Sequence, residues 1–160
     1  MSLEIERKYL VTDDFWKSLP AVFMCQGYLC IDQARTVRVR LAGSQANLTI
    51  KSAPVNSVRH EFEYGIPVAD AQTLLDICHR PLIEKKRRVV KFGKHAWEID
   101  EFLGENLGLV VAEIELTAAD EHFEMPPWIG ADVTDDPRFH NSNLVKNPFQ
   151  NWRHDWLTND

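Results

Sequence analysis

The sequence predicts an α+β protein, mainly antiparallel β, whose strands close into an eight-stranded barrel with helices packed outside and a helical C-terminal tail. Three observations lead there. Short segments of alternating apolar and polar residues recur along residues 1–117, separated by Gly, Pro and Asn/Ser turn signals too short for parallel crossovers. Their charged positions fall again and again on one face, opposite an apolar face. Finally, 160 residues with 44% hydrophobic content suit one domain with a sizeable core.

Taken in order, the predicted strands are Leu3–Val11, Gln26–Asp32, Arg35–Leu41, Asn47–Ser52, Val58–Gly65, Leu82–Phe92, Ala96–Phe102 and Leu109–Thr117. Gly43-Ser44, Pro54 through Ser57, Gly93-Lys94 and Gly104-Glu105-Asn106 serve as connections. Between the fifth and sixth strands, Pro67 opens a helix over about 67–78, with Val68, Ala71, Leu74, Leu75 and Cys78 at helical spacing. After Thr117 the strand signal stops. Pro126-Pro127, Gly130 and Asp136-Pro137 break the tail of 118–160 into turns and short helices. Phe149, Trp152 and Trp156 share one face of the last of these, expected to pack against the body.

The charges on the strands are the informative feature. Alternation places Glu4, Glu6 and Lys8 on one face, as it does Arg38 with Arg40 and Lys51 with Thr49. The pairs Glu61 and Glu63, Glu98 and Asp100, and Glu113 and Glu115 repeat the pattern; Lys85 and Arg87 lie in the run IEKKRR. A solvated outer sheet face would carry charge too, but outer faces mix polar types. Here same-sign doublets recur, and adjacent carboxylates repel unless cations compensate them. Two carboxylates in a Glu-x-Glu strand point the same way about 7 Å apart, suited to hard divalent cations with oxygen ligands. Eight strands are enough to close a barrel, and closure turns the charged face into a lumen. Its 8 acidic and 6 basic residues would become net positive with two divalent ions and attract a polyanion.

Glu4-Ile5-Glu6-Arg7-Lys8 resembles the ExExK signature of the CYTH domain family, the triphosphate tunnel metalloenzymes. Gln26-Gly27-Tyr28-Leu29, Arg38-Val39-Arg40, Thr49-Ile50-Lys51, Glu61-Phe62-Glu63, Lys85-Lys86-Arg87, Glu98-Ile99-Asp100 and Glu113-Ile114-Glu115 follow in the family's order. Val133-Thr134-Asp135-Asp136 through Asn143-Leu144 also resembles the end of short bacterial members. The resemblance implies one tunnel domain over 1–160: strands with an inserted helix over 1–117, then the tail. It implies two Mg²⁺ or Mn²⁺ ions, held by Glu4, Glu6, Glu113 and Glu115, with Glu61, Glu63 and Asp100 as further ligands. A phosphate clamp would consist of Lys8, Arg38, Arg40, Lys51, Lys85 and Arg87. Glu63 and Lys85 are the implied catalytic residues, Glu63 positioning the attacking water. Hydrolysis of inorganic triphosphate is the implied activity, with nucleoside triphosphates as weaker substrates. Adenylate cyclase and thiamine triphosphatase activity share this charged lining and stay open, as does a non-catalytic triphosphate- or polyphosphate-binding module.

Other classes fit less well. The net charge of −6 argues against sequence-blind nucleic-acid binding. Most of it lies in residues 117–160, with 8 acidic against 3 basic residues, expected to sit away from the lining. No P-loop motif occurs, and the six histidines lack zinc-ligand spacing. No run of 18 apolar residues spans a membrane, and the N-terminus lacks a signal-peptide core. Cys25, Cys30 and Cys78 form no CxxC pair, which fits reduced thiols in a cytoplasm, in a monomer or homodimer.

Overall fold

Tight turns and alternating strands build most of the chain. The computed structural model describes residues 2–56 and 58–157. Its strands are β1 (Ser2–Glu4), β2 (Glu6–Val11), β3 (Val22–Ile31), β4 (Arg35–Ala42) and β5 (Gln45–Ser52). They continue as β6 (Arg59–Ile66), β7 (Ile83–Phe92), β8 (His95–Phe102), β9 (Val110–Glu115) and β10 (Ile129–Asp132). Helices α1 (Val68–Asp76), α2 (Asn141–Lys146) and α3 (Arg153–Leu157) complete the principal elements. Gly43 and Gly93 take positive φ of 59° and 62°, which lets two-residue turns join β4 to β5 and β7 to β8.

The mainly antiparallel sheet follows the expected pattern, and its strand count differs. Ten strands pair in the order β1-β6-β5-β4-β3-β7-β8-β9-β2-β10, and the ladder does not close on itself by hydrogen bonds. The expected first strand is the reason. It breaks at Ile5, so that β1 pairs with β6 at one end of the sheet while β2 pairs with β9 near the other. Peptide continuity through Ile5 therefore brings the two ends together. Ile5 keeps its own carbonyl satisfied by accepting the Leu116 backbone N–H at 2.8 Å. The tenth strand, β10, was not foreseen; four residues beside a Pro-Pro pair give too short an alternation to read.

The apolar faces point outward and are largely covered, except on β1 and β6, where Leu3, Phe62 and Tyr64 stay exposed. Trp97, Ile99, Ile114 and Tyr9 pack with Trp128 and with Trp16 of the turn Phe15–Ser18. Helix α1 lies over β3, β4 and β5, burying Ala71 and Leu75 against Val39 and Ala46. Pro67 stands at its start, as the sequence predicts. Toward one end the inner face itself turns apolar. Leu10, Ile83, Phe102 and Val111 there meet Phe139, Leu144, Phe149 and Trp152 of the tail. Trp156 packs partly buried against the same cluster, with its ring 5.2 Å from that of Phe139. The expected packing role of Phe149, Trp152 and Trp156 is the observed one. Among the described residues no helix is long and apolar enough to cross a membrane.

Gly27 shows how closely α1 and its following turn meet the sheet. A Cβ on this residue would lie 2.7 Å from Cys78 Cβ and 2.8 Å from a Leu82 methyl. Gly27→Ala is expected to lose about 1–3 kcal/mol of stability by overpacking, read as a lowered urea midpoint with unchanged slope.

Candidate active site

A cavity of about 620 Å³ lies against the inner face of the sheet. The break at Ile5 puts Glu4 on β1 and Glu6 and Lys8 on β2 along its wall. Alternation on β4, β5 and β6 adds Arg38 and Arg40, then Thr49 and Lys51, then Arg59, Glu61 and Glu63. Arg87 on β7, Glu98 on β8, and Glu113 and Glu115 on β9 complete the circuit. Seven Lys or Arg and nine Asp or Glu residues border the space, a net charge of −2.

The two signs are sorted across it. Arg38 and Arg40 form no ion pair among the described residues, although Arg38 is buried to 7% exposure. Arg38 donates from Nη2 to Thr49 Oγ1 at 3.2 Å, and its buried Nε–H has no partner. Arg40 donates from Nε to Gln26 Oε1 at 2.9 Å. Burial, then the charges of Arg38 and Arg87, push the Arg40 guanidinium down to about 10. Neither guanidinium is matched by a contacting carboxylate among the described residues.

The carboxylates gather around β2 and β9. Glu6 stands opposite Glu115 in the β2–β9 ladder, and Glu98 opposite Glu113 in the β8–β9 ladder, both unfavourable like-charge pairings. Burial, then the nearby charges of Glu113 and Glu4, push the Glu6 carboxyl up to about 7. Glu4 is also buried, yet its pKa is held low: Lys51 Nζ donates to Oε1 at 2.8 Å and Arg59 Nε to Oε2 at 3.0 Å. Glu113 is held low against its burial by Lys8 at 3.3 Å, with Lys85 and Arg87 nearby. Glu63, exposed on the same wall, forms no ion pair within 4 Å among the described residues.

Two expected lining residues lie elsewhere. Lys85 and Asp100 are fully buried, are absent from the cavity wall, and pair with each other at 2.6 Å. Both Asp100 oxygens are taken, because Arg87 also donates to them from Nε at 2.7 Å and from Nη2 at 2.8 Å. Both Asp100 oxygens are thus engaged by the protein's own cations, and the Lys85 ammonium is paired beneath the wall. Together they hold Arg87, which reaches the cavity and also pairs with Glu98. Alternation placed Asp100 on the charged face and left the facing of Lys85 within IEKKRR open; in the structure both lie beneath the wall.

The donors suit a hard divalent cation. All are carboxylate oxygens, and the raised Glu6 pKa marks an acidic group whose burial and neighbouring carboxylates outweigh the cations near it. Among the described residues, however, no three acidic, imidazole or thiol groups converge as a ready cage. The oxygens of Glu4 and Glu113 are engaged by the protein's own cations.

Known proteins resemble this chain in sequence and fold. The CYTH domain description matches residues 2–142. The chain belongs to the CYTH domain family. An inorganic triphosphatase of Acetivibrio thermocellus is 48% identical over 155 residues, covering 96% of this chain and 99% of its relative. One from Nitrosomonas europaea is 34% identical, covering 89% and 96%. The crystal structure of the inorganic triphosphatase NE1496 superposes with a TM-score of 0.66 at 33% identity, covering 91% of this chain and 95% of that one.

Within this CYTH chain, sequence reasoning left out several wall residues. Arg59 shares the face of Glu61 and Glu63 by the same alternation, a signal available in the sequence but not used. Thr134, Asp135 and His140 come from the tail, where no strand period points to them. They are brought in by long-range bonds: Val133 N–H donates to the Lys8 carbonyl at 2.9 Å, and Lys8 N–H to Thr134 Oγ1 at 2.9 Å. Lys8 Nζ also donates to the Phe139 carbonyl at 3.0 Å. Part of the acidic tail thus borders the cavity, contrary to its expected place away from the lining.

The strained Glu6 carboxylate has a pH consequence. Its folded pKa of about 7 lies above the unfolded value of 4.5, so ionisation costs stability as pH rises from 4.5 to 7. In EDTA, Glu6→Gln is expected to melt higher than the parent at pH 8 but close to it at pH 5. The shift sets a ceiling of about 3 kcal/mol. Thermal melts at the two pH values measure it, and an equal difference at both would contradict it.

Proposed function

We propose that this chain is a metal-dependent hydrolase that cleaves the terminal phosphoanhydride of inorganic triphosphate, with nucleoside triphosphates as poorer substrates. The observation that carries the reading is the sorting of charge: buried Arg38 and partly buried Arg40, neither in an ion pair among the described residues, on one wall, and crowded carboxylates on the other. A linear polyanion satisfies the first and divalent cations the second. The names of the two curated relatives support the same substrate.

The roles divide accordingly. Arg38 and Arg40 grip phosphate oxygens through planar guanidinium forks, with Arg87 held in place by Asp100 and Lys85. Lys8 and Lys51 supply compact charges on the wall. Glu4, Glu6, Glu113 and Glu115 would hold Mg²⁺ or Mn²⁺ as two ions, with Glu61 nearby. Bound there, the ions would supply charge neutralisation on the phosphate oxygens and template the leaving group. Glu63, exposed and unpaired, is the carboxylate placed to orient the attacking water and accept its proton. The segment Ser2–Val11 acts as the strand that closes an eight-stranded tunnel around the substrate. Three free thiols fit work in a cytoplasm.

The family also contains cyclases, and product identity separates them. Tripolyphosphate with Mg²⁺ or Mn²⁺ is expected to give orthophosphate, and EDTA to abolish it. Cyclic nucleotide and pyrophosphate from ATP, with tripolyphosphate inert, would replace this reading. Arg40→Ala is expected to raise KM for tripolyphosphate about tenfold or more. Glu63→Gln is expected to lower kcat about 10²-fold or more with little change in KM. Steady-state phosphate release measures both.

A further inference from the structure

Glu4 and Glu6 are proposed metal ligands, yet their free oxygens already have a partner. Arg59 opens β6 and stands directly opposite Glu4 in the β1–β6 ladder. Its Nε lies 3.0 Å from Glu4 Oε2, and its Nη2 3.9 Å from Glu6 Oε1. The guanidinium thus spans the two carboxylates on either side of the Ile5 break. Lys51 holds the other Glu4 oxygen but also reaches Glu61 at 3.9 Å, so it keeps a partner if Glu4 turns away. Arg59 differs: among the described residues its ion pairs are both with the Glu4–Glu6 pair. It is also the more accessible cation, with a side chain 28% exposed against 13% for Lys51. It follows the exposed turn at Val55 and Asn56, where Asn56 takes a left-handed φ of 52°.

The geometry points to Arg59 as a resident counter-cation that occupies Glu4 and Glu6 until a divalent ion displaces it and frees its guanidinium for the triphosphate. A charge of +1 cannot share two carboxylates with a divalent ion at contact distance without strong repulsion. Removing Glu4 and Glu6 as partners leaves Arg59 on the cavity wall with a free fork. Metal entry and anion binding are then coupled through one side chain: the carboxylates gain the ion, and the phosphate clamp gains a guanidinium. Arg59 is a positioning residue in the metal-free protein and a phosphate-binding residue afterwards. This inference rests on the metal-dependent reading above.

Mn²⁺ binding without any phosphate, followed by electron paramagnetic resonance, tests it. Arg59→Gln is expected to bind Mn²⁺ about tenfold tighter than the parent, because the competing charge is gone. Arg59→Lys should stay near the parent. In the presence of Mn²⁺, Arg59→Gln should also bind tripolyphosphate more weakly. Unchanged or weaker Mn²⁺ binding by Arg59→Gln would overturn the inference while leaving the hydrolase reading intact. A parent chain that binds no Mn²⁺ would overturn both. Should the substitution prevent folding, the Arg59 Nε–H resonance of the ¹⁵N-labelled parent decides. Mg²⁺ alone should shift it away from its carboxylate-bonded position, and an unmoved resonance refutes displacement.

Discussion

Like charges packed inside a β wall are the constraint on which this structure turns. Partly buried Glu6 stands opposite Glu115, and Glu98 opposite Glu113, across neighbouring strands, while buried Arg38 and partly buried Arg40 have no ion pair among the described residues. Each such group loses hydration, and buried ion pairs seldom recover the full cost of that loss. The rest of the fold supplies the compensation. Trp97, Ile99, Ile114 and Val39 are buried on the outer face, under aromatic packing and α1, and their burial holds the strands that present the charges. The site is therefore a load carried by the shell around it.

Not every charge inside the wall serves the same end. The Lys85–Asp100 pair is fully buried and satisfied, and its effect is to lock Arg87 through two further hydrogen bonds. Arg38 and Arg40 differ because among the described residues they have no ion pair, and the buried Arg38 Nε–H has no partner. Saturated pairs fix geometry; cations without ion pairs are the ones to which the proposed function gives the phosphate. The same distinction separates Glu4, whose oxygens are both engaged, from Glu63, which has no ion-pair partner among the described residues.

The tail contributes more than a cap on the hydrophobic end. Lys8, central on the wall, donates to the Phe139 carbonyl as well as pairing with Glu113, so the position of a cavity cation depends on the tail's course. Phe139 is in turn fixed by edge-to-face contacts with Trp152 and Trp156. Packing at residues 139–156 thus reaches the site through one ammonium group.

What the sequence alone determined is the periodic part: which segments are strands, where α1 begins, and which face of each strand carries charge. Side chains alternate strictly, so Arg38 with Arg40, Glu61 with Glu63 and Glu113 with Glu115 reach the cavity as the alternation requires. Arg59 was legible by the same rule. Tertiary structure decided what has no period. It broke the first strand at Ile5 and added β10 from the tail, giving ten strands among the described residues instead of eight, and it drew Thr134, Asp135 and His140 to the wall by long-range hydrogen bonds. It also set depth, submerging Lys85 and Asp100 while exposing Glu63. Alternation assigns a face, but curvature and the packing at each end assign how far along that face a side chain meets the cavity.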